Sequence, residues 1–371
     1  MARQGDNIYK RKDKRYEGRY IIGRNPDRTP RFGYVYGKSY AEVKEKLLPL
    51  KLIYRRPQNG IRFTGTFSDY VKRWLEIMSK EKNLKPSTYI SYYGKIYNHI
   101  IPILGDKLPH MLKKSDVENF MDKLSDKGLS AGTITNVFRL LSVIISKAQD
   151  ENVIVENICK GIRKPYMQKR KITVLSRNAQ YLLERSCEKE KTGILPLLAL
   201  YTGMRVGEIS ALKWSDVDLD EGLLYVKGTA QRITKHIGNE KKTKVYIGAP
   251  KTASSERVIA LSPRMIDYLL KHKETADSEY VISCKGHIAE PRVCQYRFEV
   301  LLKKAGIGKV SFHSLRHTYA TRCLEQGIDV KTLSQLMGHS GVEMTLKYGD
   351  SMIEHKKRAV LLLDNMCQIA V

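Results

Sequence analysis

Apolar and polar positions follow three different patterns along this chain. Residues 1 to about 62 contain two short alternating runs, RYEGRYIIGR and RFGYVYG, split by the turn-forming NPDRTP. This predicts strand–turn–strand, then a helix over Ser39–Leu48 with Ser39 as N-cap and Glu42 three residues on. From Thr64 to about Pro165 the apolar spacing becomes helical. Phe67–Lys80, Lys85–Ile101 behind its KPST start, Ser115–Leu124 and Ser130–Asp150 predict about four helices. From residue 166 onward the two periods mix. SRNAQYLLERSCEKEK, TGILPLLALYTG and MRVGEISALKW predict helices, and LLYVKG, KKTKVYIGA and SERVIAL predict strands of one small central sheet. SPRMIDYLLKHKE and PRVCQYRFEVLLKKAG return to helix. The fold class is α+β and mainly helical, and 371 residues suit two or three domains.

Charge narrows the choice of partner. The chain holds 66 Lys and Arg against 39 Asp and Glu, a net +27, which points to a polyanion. Nucleic acid comes first. An anionic membrane comes second, but there is no long apolar run and no signal-peptide pattern, so a cytoplasmic protein without a membrane partner is expected. Residues 1–62 carry 17 basic and 6 acidic residues and 7 of the 22 tyrosines. A small sheet exposing Arg19, Tyr20, Arg24, Arg31, Tyr34 and Tyr36 could enter a major groove. The rival reading is a solubilising basic extension. The helical stretch is milder, with 16 basic against 11 acidic residues, and its tyrosines read as core. KPYMQKRK then forms a basic linker whose Lys169, Arg170 and Lys171 could lie along a phosphate backbone. The six cysteines are scattered without a CxxC pair, which suits reduced thiols and argues against a cysteine zinc site.

Candidate chemistry concentrates in SFHSLRHTYATRCLEQGIDVKTLSQLMGHSGVEMTLKYGD. His313 and Arg316 stand at i and i+3 near a helix start, where an anion is favoured. His313 and His317 have the i, i+4 spacing of a metal pair, but Ser314 occupies the place where the zinc version carries Glu. His339 follows a glycine at a helix-to-helix turn, and Tyr348 is expected on a short helix beyond it. Upstream, Arg205 lies between Gly203 and Gly207, with Glu208 placed to orient an imidazole or pair with a cation. Two arginines can hold both non-bridging oxygens of one phosphate. Lys251 lies in a loop before a strand, where its ammonium could reach a leaving oxygen.

Arg205 in TGMRVGE, Lys251 in PKTASSERVIAL, His313 and Arg316 in HSLRHT, His339 in LMGHS and Tyr348 in TLKYGD together resemble the catalytic set of the tyrosine recombinases. The resemblance covers the final domain fully. The helical domain before it resembles the family's core-site binding domain, and the N-terminal unit resembles the three-stranded arm-binding domain of phage and conjugative-transposon integrases. The GD after Tyr348 departs from the Thr-His pair of many relatives. The implied organisation is an arm-type DNA-binding domain over 1–62, a core-site domain over 64–165 and a catalytic domain with a C-terminal tail over 166–371.

The resemblance further implies that Tyr348 attacks a DNA phosphodiester to give a 3′-phosphotyrosine and a free 5′-hydroxyl, with no cofactor, ATP or metal. Arg205 and Arg316 would stabilise the transition-state charge, His313 act as base, His339 donate to the phosphate and Lys251 protonate the leaving oxygen. The implied partners are double-stranded DNA at core-type and arm-type sites and a homotetramer on that DNA, with room for an accessory excision factor. The apolar run Ala359–Leu363 would dock on a neighbour or pack in cis.

Three alternatives stand beside this reading. A metal-dependent transposase or nuclease could draw on Asp216, Asp218, Asp220 and Glu221, although WSDVDLDEG looks like a polar turn. A non-catalytic DNA-binding regulator would explain the charge but not six filled catalytic positions. A type IB topoisomerase shares the chemistry, but the separate basic N-terminal unit fits a bivalent integrase better.

Overall fold

The computed structural model of the chain describes residues 7–24, 29–54, 63–81, 84–167, 172–237, 240–248, 256–346 and 348. The chain divides into two compact units, Met1–Gln168 and Lys169–Val371.

The first unit opens with a three-stranded antiparallel sheet, β1 (Ile8–Lys10), β2 (Tyr16–Arg24) and β3 (Pro30–Gly37), in sequential order. Alternation predicts β2 and β3, whereas β1 is only three residues long and leaves no periodic signal. Helix α1 (Tyr40–Tyr54) covers one face of the sheet and runs further than expected, through Pro49. Its Glu42 carboxylate accepts from the Lys38 backbone N–H at 2.8 Å, and Ser39 Oγ accepts from the Glu42 N–H, a reciprocal cap that fixes the helix start. Gly18 and Gly37 let the strands approach α1 closely, since a Cβ at either would collide with Val43.

The rest of this unit is helical: α2 (Phe67–Glu81), α3 (Pro86–Lys95), α4 (Ile101–Leu104), α5 (Lys114–Asp126) and α6 (Ala131–Asp150). The stretch expected as one helix over Lys85–Ile101 is interrupted by a π-turn at Ile96–Ile100. Ser130 caps α6 by accepting from the Thr133 N–H, an interaction worth about 1 kcal/mol. Phe67, Val71, Ile96, Ile100, Phe120, Leu141 and Ile144 form the core of this bundle. Tyr70 is buried in it and Tyr89, Tyr92 and Tyr93 pack half-buried against it, as expected, whereas Tyr97 is exposed and stacks on Tyr93 at a centroid distance of 4.1 Å.

The second unit runs α7 (Arg177–Glu188), α8 (Ile194–Thr202), α9 (Val206–Ala211), β4 (Val217–Asp218), β5 (Leu223–Val226), β6 (Thr229–Ile237), β7 (Glu240–Gly248) and β8 (Arg257–Ala260). It continues with α10 (Pro263–Lys273), β9 (Ser283–Cys284), β10 (His287–Ile288), α11 (Pro291–Lys304), α12 (His313–Glu325), α13 (Val330–Met337) and α14 (Glu343–Leu346). The expected single central sheet is instead two assemblies. Strands β4, β5 and β8 make a three-stranded sheet, and β6 pairs with β7 as a separate antiparallel hairpin inserted between β5 and β8. Strand β6 escapes sequence reading because TAQRITKHI is polar along most of its length.

Helix α8 is apolar all round and buried along nearly its whole length. It forms the centre of a core with Leu224, Ile259, Leu269, Phe298, Leu301 and Leu315. The sheet and the helices α9 and α12 are thereby fixed around one buried rod, and α13 packs on α12 through a second cluster of Ala320, Leu324, Leu333 and Met337. Cys159, Cys187, Cys284, Cys294 and Cys323 carry free thiols, as the scattered cysteines predict. Among the described residues, no helix is long and apolar enough to cross a membrane.

Candidate active site

The C-terminal end of α13 collects three arginines. Its last carbonyls have no helical partner and carry the negative end of the helix dipole. Arg257 Nε donates to the Leu336 carbonyl at 2.7 Å, an Arg316 Nη donates to that of Met337, and Arg205 Nη2 donates to that of Gly338 at 3.4 Å. Gly338 ends the helix at φ 59°, a left-handed conformation that glycine adopts without strain. His339 follows immediately and is buried.

A carboxylate holds two of these three guanidiniums, those of Arg205 and Arg257. Arg205 N-caps α9, and Glu208 three residues on accepts from both the Arg205 backbone N–H at 2.9 Å and Nη1 at 2.6 Å. Arg257 Nη2 lies 3.0 Å from the second Glu208 oxygen. Burial opposes the Glu208 charge, but Arg257 and then Arg205 outweigh it and hold the carboxyl below its usual range. Glu208 therefore pairs with cations, one of the two roles expected of it. Arg205 remains the accessible member, its side chain 35 % exposed against 5 % for Arg257.

Arg316 stands one turn into α12 and is only 1 % exposed. Its second Nη donates to the carbonyl of Gly203, the left-handed residue that ends α8. Burial, then repulsion from Arg205, lowers its pKa to about 9, which leaves it charged at neutral pH. Arg205 and Arg316, 111 positions apart in sequence, are thus both fixed by the last turn of α13.

The imidazoles and the phenol complete the cluster. His313 and His317 lie ring against ring, centroids 4.4 Å apart and nearly perpendicular. His317 Nδ1 is 3.0 Å from Tyr348 Oη. The His339 ring stacks parallel to Tyr348 at 6.3 Å, and its Nδ1 is 2.7 Å from the hydroxyl of the buried Thr345. Burial, reinforced by nearby cations, lowers the pKa of all three histidines, to about 4 for both His317 and His339. Burial raises the Tyr348 phenol, while Arg316 and Arg205 pull it back down. A cleft of about 400 Å³ lies against His339 and Arg257, with Lys331 and Gln335 on its wall.

Tyr348 does not sit on the expected short helix. It lies in a turn just past α14, its N–H bonded to the Thr345 carbonyl, and its 6 %-exposed side chain packs with Ala320, Leu333 and Met337. Of the residues expected from sequence, Arg205, Glu208, His313, Arg316, His339 and Tyr348 come together. Lys251, Lys169, Arg170, Lys171 and the tail with Ala359–Leu363 lie outside the described residues.

Sequence reading missed Arg257, His317 as a partner of the phenol, and Thr345. The signal for Arg257 was the alternation in SERVIAL, where it shares the inward side of the strand with the buried Ile259. The sequence offers His317 only as a metal partner of His313, and no group of three or more metal-ligating side chains occurs among the described residues. The carboxylates of WSDVDLDEG do form a polar turn: Asp218 Oδ1 accepts the N–H groups of Asp220 and Glu221, and Asp216 pairs with Lys227.

The N-terminal sheet divides the expected DNA-facing residues. Arg19, Tyr34 and Tyr36 share the face away from α1, with the Arg19 guanidinium 3.9 Å from the Phe32 ring centroid. Tyr20 is a correction: it alternates with Arg19 onto the side of Gly18 and α1, and its ring covers Gly33, where a Cβ would come within 2.5 Å. Arg31 is exposed but alternates with Phe32, on the Gly33 side. Of Arg24, the strand position at the end of β2 is described.

Residues 166–355 match the phage integrase family, and residues 66–125 match the N-terminal SAM-like domain of phage integrases. A tyrosine recombinase XerC-like protein of Caldanaerobacter subterraneus subsp. tengcongensis is 27 % identical over 97 % of this chain and 98 % of its own. The fold is similar to that of the Tn1549 transposon integrase, at a TM-score of 0.69 and 21 % identity over 81 % of this chain and 99 % of that one. It is also similar to that of lambda integrase, at 0.59 and 21 % over 94 % and 96 %. Cluster and family model coincide in the same stretch of sequence, and the chain belongs to the phage integrase family, as a tyrosine recombinase that carries out site-specific DNA recombination.

Proposed function

We propose that Tyr348 is the nucleophile of this recombinase, attacking a DNA phosphodiester held between Arg205 and Arg316. The observation that carries the reading is that Tyr348 meets the imidazoles of His317 and His339 beside the two guanidiniums held at the end of α13. A pentacoordinate phosphorus gathers charge on its non-bridging oxygens, where fixed guanidiniums stabilise it most. His339, oriented through Nδ1 by Thr345, presents its other ring nitrogen as a donor to the phosphate. Lys251 is the acid for the 5′-oxygen.

The same proposal extends to assembly and partners. The chain integrates and excises a mobile element, acting as a tetramer on double-stranded DNA, with an accessory factor setting the direction. Residues 1–62 take arm-type sites through Arg19, Tyr34 and Tyr36, residues 64–165 take the core site, and 166–371 carry out the chemistry. The Tn1549 and lambda integrases were both solved on DNA, the latter also as a tetramer on a Holliday junction, which supports this reading.

The test is covalent capture. Footprinting first identifies the core site on the ends of the protein's own element. Incubation with that duplex should then give an SDS-resistant protein–DNA adduct that Tyr348→Phe abolishes while retaining DNA binding. An adduct formed by Tyr348→Phe would overturn the assignment.

A further inference from the structure

His317 is the ring that touches the phenol. It stands at i+4 from His313, so the two share a face of α12, but the turn after α14 brings Tyr348 Oη to His317 Nδ1 at 3.0 Å. Among the described residues, His317 is the phenol's hydrogen-bond partner. A neutral imidazole accepts at one nitrogen and donates at the other. A phenol buried to 6 % exposure would lose its donor bond if Nδ1 carried the hydrogen. The arrangement therefore fixes the tautomer, with the phenol O–H donating to Nδ1 and the hydrogen of the ring on Nε2.

We propose that His317 is the proton acceptor for Tyr348, in the place that sequence reading assigned to His313. This rests on Tyr348 being the nucleophile. As Oη bonds to phosphorus, its proton passes to His317 Nδ1. The bond from phosphorus to the 5′-oxygen breaks, and that oxygen leaves with the electron pair and takes a proton from the acid. In resealing, the 5′-hydroxyl attacks and gives its proton back to the deprotonated acid, while His317 returns its proton to the departing phenolate. Cleavage and resealing together restore both the acid and the phenol–His317 pair, so no further co-reactant is needed.

The surroundings suit this role. The charged and titratable groups around His317 are His313 and Arg316 on its own helix and Tyr348 across the turn, with Arg205 and His339 near the phenol. Burial and these neighbours keep the ring neutral, so its lone pair is available throughout the physiological range. A bound phosphodiester brings the negative charge that makes the ring more basic when the proton moves. His313, free of the phenol, is left to face the phosphate with Arg316.

The experiment compares His317→Asn with wild type in single-turnover cleavage of a nicked duplex carrying the footprinted core site. Asparagine can still accept the phenol hydrogen bond but cannot take up the proton. The variant should cleave about 10²-fold slower or worse near neutral pH, the range of a lost general base, and its rate should climb with rising pH as hydroxide takes over. Imidazole added to His317→Ala should restore part of the lost rate. His317→Asn cleaving at the wild-type rate, or a slow His317→Ala without imidazole rescue or pH dependence, would show that the ring only positions the phenol. A nitrogen-15 spectrum of the free protein adds an arm that needs no DNA. An unprotonated His317 Nδ1 whose signal shifts in Tyr348→Phe is expected, and a protonated Nδ1 overturns the assignment. Failure of these tests beside an inactive Tyr348→Phe removes His317 alone, whereas an adduct from Tyr348→Phe removes the nucleophile reading itself.

Discussion

Glu208 and Arg257 form an ion pair at 3.0 Å in which the two side chains are 3 % and 5 % exposed. Neither would touch a phosphate in the proposed reaction. Their pairing joins α9 to β8, and Arg257 continues to the Leu336 carbonyl at the end of α13. The accessible guanidinium of Arg205 is held by the same carboxylate. The site is therefore braced by one buried anion among three cations.

Glu208→Gln should be costly for this reason. Removing one partner of a buried pair costs about 3 kcal/mol or more. The sign of the pH effect follows from the direction of the shift. The Glu208 carboxyl is held below its unfolded value, so its contribution is complete above the unfolded carboxylate range and is lost as pH falls through the folded value. Urea unfolding across the acid range should show a shallower pH dependence for Glu208→Gln than for wild type. Equal slopes would show that the pair contributes no linkage.

Arg316→Lys should fold and bind DNA yet cleave about 10²–10³-fold slower. Lysine keeps the charge but lacks the planar fork that spans the Gly203 and Met337 carbonyls. Single-turnover adduct formation measures this, with DNA affinity as the control.

Gly203→Ala tests the backbone beneath Arg316. The position has φ 66°, and a Cβ there would come within 2.5 Å of the Tyr319 ring. The left-handed conformation alone costs about 1–2 kcal/mol for a residue with a Cβ. Denaturation should show at least that loss. Cleavage under conditions where the variant is fully folded should also fall, because the carbonyl that fixes Arg316 is displaced.

Chelation separates the arginine clamp from metal-assisted chemistry. EDTA in excess should leave the rate of adduct formation unchanged in protein prepared without added divalent ions. Abolished cleavage, restored by magnesium or manganese, would favour the metal-dependent alternative.

Local sequence determined a good deal about this protein. Strand alternation in the N-terminal unit, the helical period over α2, α5 and α6, and the caps at Ser39 and Ser130 arise from interactions within a few residues, so they are readable one stretch at a time. The motifs around Arg205, His313, Arg316, His339 and Tyr348 were legible for a related reason, since each is a short run with unusual chemistry. Their family resemblance put them on one list before any geometry was known.

Only the tertiary structure decided what lies between those runs. The pairing of β7 with β6, and not with β5, depends on backbone hydrogen bonds that a polar strand does not advertise. Tyr20 alternates onto the helix-covered side, where the missing side chain of Gly33 leaves space for its ring. Arg257 joins the site through a carboxylate 49 positions away, and His317 reaches Tyr348 across 31 positions. Such contacts are set by the packing of α12 on the buried α8 and of α13 on α12, where desolvation gives each hydrogen bond its weight. Sequence could name the reactive groups, but which imidazole meets the phenol is a matter of distance, and distance exists only after the chain has folded.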